Sequence, residues 1–233
     1  MNVWPIDLFQ ATTFDASLQG RIVTGGMSVS GISQVVRTDG GGLWRLSFSG
    51  IFLHSADLVR AWRAWEGILD GGAQNVIVPI CDLRHGPRPI VGGVPVEPGA
   101  TVPHSDDAYF SDTTGYVTPL IEAETVGTAA LGATSIVIDV TVGELLRGGE
   151  HFTLDHATRE ERMYRVVKIT SAVGTVQTVQ IRPPLREATT DGMVVDFDRP
   201  RCVMRLATPD SMALPLQLGR FGVGLSVSFV ESF

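Results

Sequence analysis

Between residues 134 and 198 the chain holds five short apolar runs: "TSIVIDV", "EHFTLD", "MYRVVKIT", "TVQTVQIRP" and "GMVVDFD". The spacers between them, "GELLRGG", "HATREER", "SAVG" and a Pro-rich stretch, carry turn residues. Short strands at regular spacing with turn signals between them predict a small barrel or sandwich. The Pro-rich stretch "IRPPLREATTDGMVVDF" reads as a structural corner. Pro183 and Pro184 end the strand before them, since proline cannot donate to a ladder and restricts the residue it follows. Leu185 can then plug the barrel end, and Asp191 with Gly192 turns the chain into the last strand. Arg186 and Glu187 read as a solvated pair.

The flanking sequence is also strand-rich. In "LWRLSFSGIF" Trp44, Leu46, Phe48 and Phe52 alternate with Arg45, Ser47 and Ser49, the pattern of one buried strand face. "NVIVPI" is a short apolar strand, and near the end Val223, Leu225, Val227 and Phe229 alternate with smaller or polar residues. One helix interrupts these strands, "SADLVRAWRAWEGILDGG". Ser55 is its expected N-cap, Asp57 suits the positive end of the dipole, and Gly71 and Gly72 supply the stop. Leu58, Trp62, Trp65 and Leu69 form a single apolar stripe, expected to anchor the helix over a sheet.

Residues 83–124 are dense in Pro, Gly, Ser and Asp, which predicts a long irregular arm with a short hairpin at 90–96. The expected fold is therefore mainly β: a β-sandwich with one packed helix, plus a small inserted β-barrel. The sandwich takes residues 1–124 together with 198–233, including the arm, and the barrel takes 125–197.

Composition narrows the function. A net charge of −7 argues against stable nucleic-acid binding, which needs a basic surface. No apolar run reaches the roughly 18 residues of a membrane helix. "MNVWPIDLFQ" lacks the basic and apolar regions of a signal peptide, so the expected place of assembly is the cytoplasm. Lys168 is the single lysine. Cys81 and Cys202 lie on apolar runs without a zinc or redox spacing and read as buried, inert thiols.

Chemistry is sparse. His104, Asp106, Asp107 and Asp112 could meet a hard cation, but their loop lacks EF-hand spacing. His151 and His156 flank a strand and read as surface histidines, and Thr158–Arg165 reads as a solvated charged face. There is no G-x-S-x-G elbow, and the glycine-rich "GGMSVSG" and "TDGGGLW" lack the lysine of a phosphate loop. No cofactor, metal or catalytic residue is expected.

Three runs together carry a resemblance. The helix region has Trp62, Trp65, Leu69, Gly71, Asn75 and Pro79. The barrel exit has Pro183, Pro184, Leu185, Arg186, Asp191 and Gly192, and the last strand has Phe229 and Glu231. Over most of residues 40–233 the chain resembles minor tail proteins of long-tailed bacteriophages, in particular distal tail (Dit-like) proteins. The resemblance implies a non-enzymatic ring, usually a hexamer, with a sandwich around the tail axis and a barrel projecting outward. It implies as partners the tail tube protein, the tail hub or fibre protein and the tape measure protein, at the virion tail tip.

Two other classes remain open at this level. A carbohydrate-binding module would present Trp44, Tyr109, Phe110 and Tyr116 to a host glycan. An enzyme acting on cell wall or glycan would need Asp106, Asp112 and Glu161 to share a cleft.

Overall fold

The structure is a computed structural model that describes residues 1–20, 22–37, 41–80, 85–91, 93–96, 101–102, 116–117, 121–215 and 224–233. Among these the chain is mainly β with one α-helix. In chain order the first elements are β1 (Asn2–Val3), β2 (Thr13–Gln19), β3 (Ile22–Met27), β4 (Ser33–Arg37), β5 (Leu43–Ile51), α1 (Ala56–Leu69) and β6 (Val76–Pro79). Then come β7 (Ile90–Val91), β8 (Val94–Pro95), β9 (Thr101–Val102), β10 (Tyr116–Val117) and β11 (Glu122–Thr125). After these run β12 (Ser135–Val142), β13 (His151–His156), β14 (Glu160–Val173), β15 (Val176–Arg182) and β16 (Val195–Asp196). β17 (Arg201–Leu206) and β18 (Leu225–Glu231) complete the series.

Two compact units emerge, Met1–Pro79 with Cys202–Phe233, and Ile80–Arg201. The second interrupts the first in sequence, but it starts at residue 80 rather than 125 and ends at 201 rather than 197. The described part of the 83–124 arm thus belongs with the barrel. Arg88 explains part of this, because its guanidinium grips both carboxylate oxygens of Glu144 at 3.0 Å. Its carbonyl also accepts the Glu144 N–H at 2.9 Å. The expected hairpin forms as β7 against β8, closed by Val96 N–H to Pro89 O at 2.9 Å.

In the first unit a six-stranded sheet runs β1-β6-β17-β18-β5-β2. β5 buries Trp44, Leu46 and Phe48, and β18 buries Leu225, Val227 and Phe229. The alternation expected to continue to Phe52 slips at Gly50. Ile51 pairs with Leu225 and Ser49 with Ser226, so Gly50 is an extra residue with φ +71°. Such a bulge reverses the inward face; Ile51 is buried and Phe52 is half exposed. Gly50 is also the residue that fits, since a Cβ there would lie 1.9 Å from Thr12 Oγ1.

On this sheet lies α1, capped by Ser55, whose Oγ accepts the Leu58 N–H at 3.2 Å. Trp62 and Leu69 are buried, while Leu58 and Trp65 are half-buried flanks of the stripe. The helix ends one residue before the glycines expected to stop it: Asp70 itself takes the left-handed conformation, and its N–H bonds to Glu66 O. Trp4 sits at the centre of the packing. Its ring lies 5.1 Å from Phe229, 5.2 Å from Phe9, 5.5 Å from Trp65 and 6.2 Å from Trp62. Trp62 donates its indole N–H to Met212 O at 2.9 Å, whereas the Trp4 indole N–H finds no acceptor among the described residues.

The two indoles therefore make a controlled pair. Trp62→Phe strips a donor from a buried carbonyl and Trp4→Phe does not. We expect Trp62→Phe to be the more destabilising by about 1–3 kcal/mol in urea unfolding. Equal losses would show that Met212 O gains nothing from the bond.

The second unit is a six-stranded sheet, β11-β12-β15-β14-β13-β16, curled into a nearly closed barrel. Five of these strands match the apolar runs; the sixth, β11, lies in what reads from sequence as arm. Phe152, Leu154, Tyr164, Val179 and Phe197 fill the interior, and Leu185 plugs it. The long strand β14 carries two irregularities, between Val166 and Lys168 and between Ile169 and Ser171. Bulges bend a strand, as a small barrel requires.

The barrel closes at Thr125. Its N–H bonds to Met193 O at 2.9 Å and its carbonyl accepts the Gly192 N–H at 2.8 Å. Its hydroxyl donates to Thr190 O at 2.7 Å and accepts from Met193 N–H at 3.0 Å. The exit corner is thus half of the closing seam. Pro183 and Pro184 follow directly on β15, and Asp191 with Gly192 makes the turn, Gly192 at φ +72°. Asp191 Oδ1 also accepts the Gly127 N–H at 2.6 Å. Thr125→Val keeps the shape and removes two buried hydrogen bonds. It should lower stability by about 1–3 kcal/mol, read as a lower melting temperature; an unchanged one would mean the backbone ladder alone closes the barrel.

Candidate functional site

The residues that look most chemical in the sequence are used by the fold. Glu187 is not paired with Arg186. Its carboxylate accepts from Thr158 N–H, Thr158 Oγ1 and Arg159 N–H at 2.9–3.1 Å, capping the β13–β14 turn. Burial works to raise its pKa, but these hydrogen bonds outweigh it and hold the group below its ordinary value. Nor is Thr158–Arg165 a solvated face: Arg162, Met163 and Tyr164 are buried, and Arg162 Nε donates to Arg159 O at 2.6 Å.

Two open clefts lie on the second unit. One, of about 800 Å³, is lined by His85, Arg88, Glu144, Arg147 and Glu150. The Arg88 hydrogen bond is the main cause that lowers the Glu144 pKa. Glu150 is buried and accepts the N–H groups of Arg147 and Gly148 at 2.6 and 2.7 Å. The anion-binding turn is therefore filled by the protein's own carboxylate.

The other cleft, of about 810 Å³, runs over the seam and is lined by Glu122, Glu124, Asp155, Asp196, Asp198 and Arg201, among others. Arg201 bridges Glu161 and Asp196 at 2.6 Å each. Burial alone would lower its pKa, yet the two carboxylates raise it. Asp196 Oδ1 also caps the N–H groups of Asp198 and Arg199 at 3.1 Å. Burial pushes the Asp198 carboxyl up, although it accepts the Ile121 N–H. No group of His, Cys, Asp and Glu able to hold a metal occurs among the described residues. The cleft's two threonine hydroxyls, Thr141 and Thr153, donate to the Glu122 and Arg201 carbonyls at 3.1 and 2.8 Å.

His104, Asp106, Asp107, Asp112, Tyr109, Phe110 and Cys81 lie outside the described residues, so the cation loop and most of the proposed aromatic platform do too. Trp44 is fully buried and has no face for a sugar, and Tyr116 is described only through its backbone pairing with Val102. Cys202 is buried.

His156, read from sequence as a surface group, is buried inside the barrel end. Its Nε2 meets Tyr164 Oη at 2.8 Å, Tyr164 Oη accepts the Arg186 N–H at 2.9 Å, and Nδ1 has no partner. Burial lowers its pKa below the ordinary histidine value, against the opposing pull of Glu187 and Asp155. Below about pH 6.5 the unfolded chain then binds the proton first, so this contribution to stability falls as pH drops from there through the folded pKa. His156→Gln should remove that portion of the acid dependence, read as a flatter denaturation free energy from about pH 7 to 5. Parallel curves for the two proteins would exclude the effect.

A feature not singled out by sequence reading is the hairpin β3–β4. It pairs Val23 with Val36 and Thr24 with Val35, and is tied at its tip by Gly31 N–H to Ser28 O at 2.8 Å. It continues from the β2–β5 pair and forms a two-stranded sheet of its own. Val23, Met27, Val29, Ile32, Val35 and Val36 are each more than half exposed. Residues 22–36 hold no charged side chain in a chain that is 18% charged. That gap in charge is the available signal; the glycines of this run bear on a phosphate loop, which the missing lysine argues against. An isolated two-stranded hairpin is marginal in water, and a contiguous exposed apolar surface marks an interaction site. No protein-family model and no curated protein matches the chain.

Proposed function

We propose that this protein is a structural component of a long-tailed phage tail tip, a ring joining the tail tube to the central hub. The observation that carries the reading is the apolar hairpin β3–β4, which is uncharged over residues 22–36 and forms a two-stranded sheet of its own. Its apolar surface calls for a protein partner, and a repeating copy of the same chain satisfies it in a closed assembly. The resemblance along the helix, the barrel exit and the last strand supports the same reading.

On this reading the role is mechanical and non-enzymatic. The paired and capped carboxylates of both clefts agree with it, because they serve the barrel's own backbone. The partners are other copies of the chain, on the order of six per ring, with the tube protein on one side and the hub or fibre protein on the other. The tape measure protein would reach the same ring. The net charge of −7 favours passage of DNA over its retention.

The test is light scattering with negative-stain imaging over a concentration series, for the wild type and for Val29→Glu with Ile32→Glu. We expect discrete rings with a central hole for the wild type. The double variant, altered only at exposed positions, should keep its circular dichroism and melting temperature but lose assembly. A wild type that stays monomeric even with the tube protein present, or a double variant that assembles unchanged, would overturn the proposal.

A further inference from the structure

We infer that the β3–β4 hairpin of one copy seats against the β1 edge of the next copy's six-stranded sheet. The inference rests on the ring reading and goes on to name the surface that receives the hairpin. The sheet order places β1 and β2 at opposite edges, five strand spacings or roughly 24 Å apart. The hairpin prolongs the strands at the β2 edge. The other edge carries a second exposed apolar patch, with Val3 at 49% and Leu8 at 44% exposure. Ile68 is exposed one helical turn from Trp65, whose ring meets Trp4 in the same segment. Asp7 is the single charged side chain in residues 2–13, so this edge matches the hairpin in its lack of charge.

The occupant follows from counting what each arrangement covers. Two hairpins packed back to back would make a closed dimer and leave the β1 edge exposed. A hairpin on the β1 edge covers both patches of every copy, except at open ends. That contact is heterologous, and a heterologous contact either closes into a ring or runs on as a filament. β1 is only two residues long and joins the sheet through a parallel pairing with β6, which leaves its outer side at the sheet edge. Exposed strand edges accept an added strand through the backbone, and the hairpin brings two strands that carry no charge over residues 22–36.

The experiment places a photoreactive phenylalanine analogue at Val29 in the full-length chain and mixes light and isotopically heavy copies. Mass spectrometry of light–heavy products then reads only contacts between copies, and light scattering on the same sample reads assembly. We expect cross-links into residues 2–8 of the neighbour. Leu8→Arg should raise the concentration needed for assembly by about tenfold or more, while Val94→Arg on the second unit leaves it unchanged. Rings whose cross-links fall on another hairpin or on the second unit would overturn this docking surface and leave the ring standing. So would a Leu8→Arg protein that assembles as the wild type does. A wild type that never assembles would overturn both, and the scattering record separates that outcome from the others.

Discussion

The hydrogen bond from Ile80 N–H to Pro200 O, 2.8 Å long, draws the two ends of the barrel unit together. An inserted unit can leave its host sheet intact only if its ends return to one place. In the host sheet the strands on either side of the insertion, β6 and β17, are neighbours. β18 then follows β17 and pairs with β5, so the last strand of the chain is laid against one of the first. Trp4 completes the first unit by joining β1, α1 and the faces of β5 and β18 in one aromatic cluster.

Polar groups in the barrel follow one economy. A small barrel with tight corners leaves backbone N–H groups that no strand can pair, and each needs an acceptor. Glu187, Asp191, Asp196 and Glu150 supply those acceptors across the β13–β14 turn, the seam, the exit and the β12–β13 loop. Glu161 and Asp196 are likewise engaged at short range by Arg201, and Glu144 by Arg88. Among the described residues the first unit also leaves apolar side chains exposed, on the hairpin and at Val3 and Leu8.

How much was legible depends on the range of the interaction. The α1 stripe and the Ser55 cap depend on residues within a turn of one another, and both are readable from spacing. The barrel runs and the Pro183–Pro184 exit are likewise local, since strand alternation and proline geometry need no distant partner. Phe52 and Ile51 exchange places because Gly50 is an extra residue against β18, a strand about 175 positions away. His156 looks like a turn histidine until Tyr164 and the corner at Arg186 close over it. Residues 122–124 read as arm because the seam partner of Glu124 is Val194, 70 positions away.

By itself, then, the sequence determined the β-rich class, the capped helix, five of the barrel's six strands and the corner that leads into the last of them. These follow from periodicity and from residues with restricted backbones, which act locally. Only the tertiary structure decided where the barrel unit begins, which carboxylates are spent on backbone caps, and which apolar runs remain uncovered. Burial is a property of what packs on a residue. Val179 and Ile181 are core in β15, where the barrel encloses them, whereas Val23, Val35 and Val36 are open surface in β3 and β4.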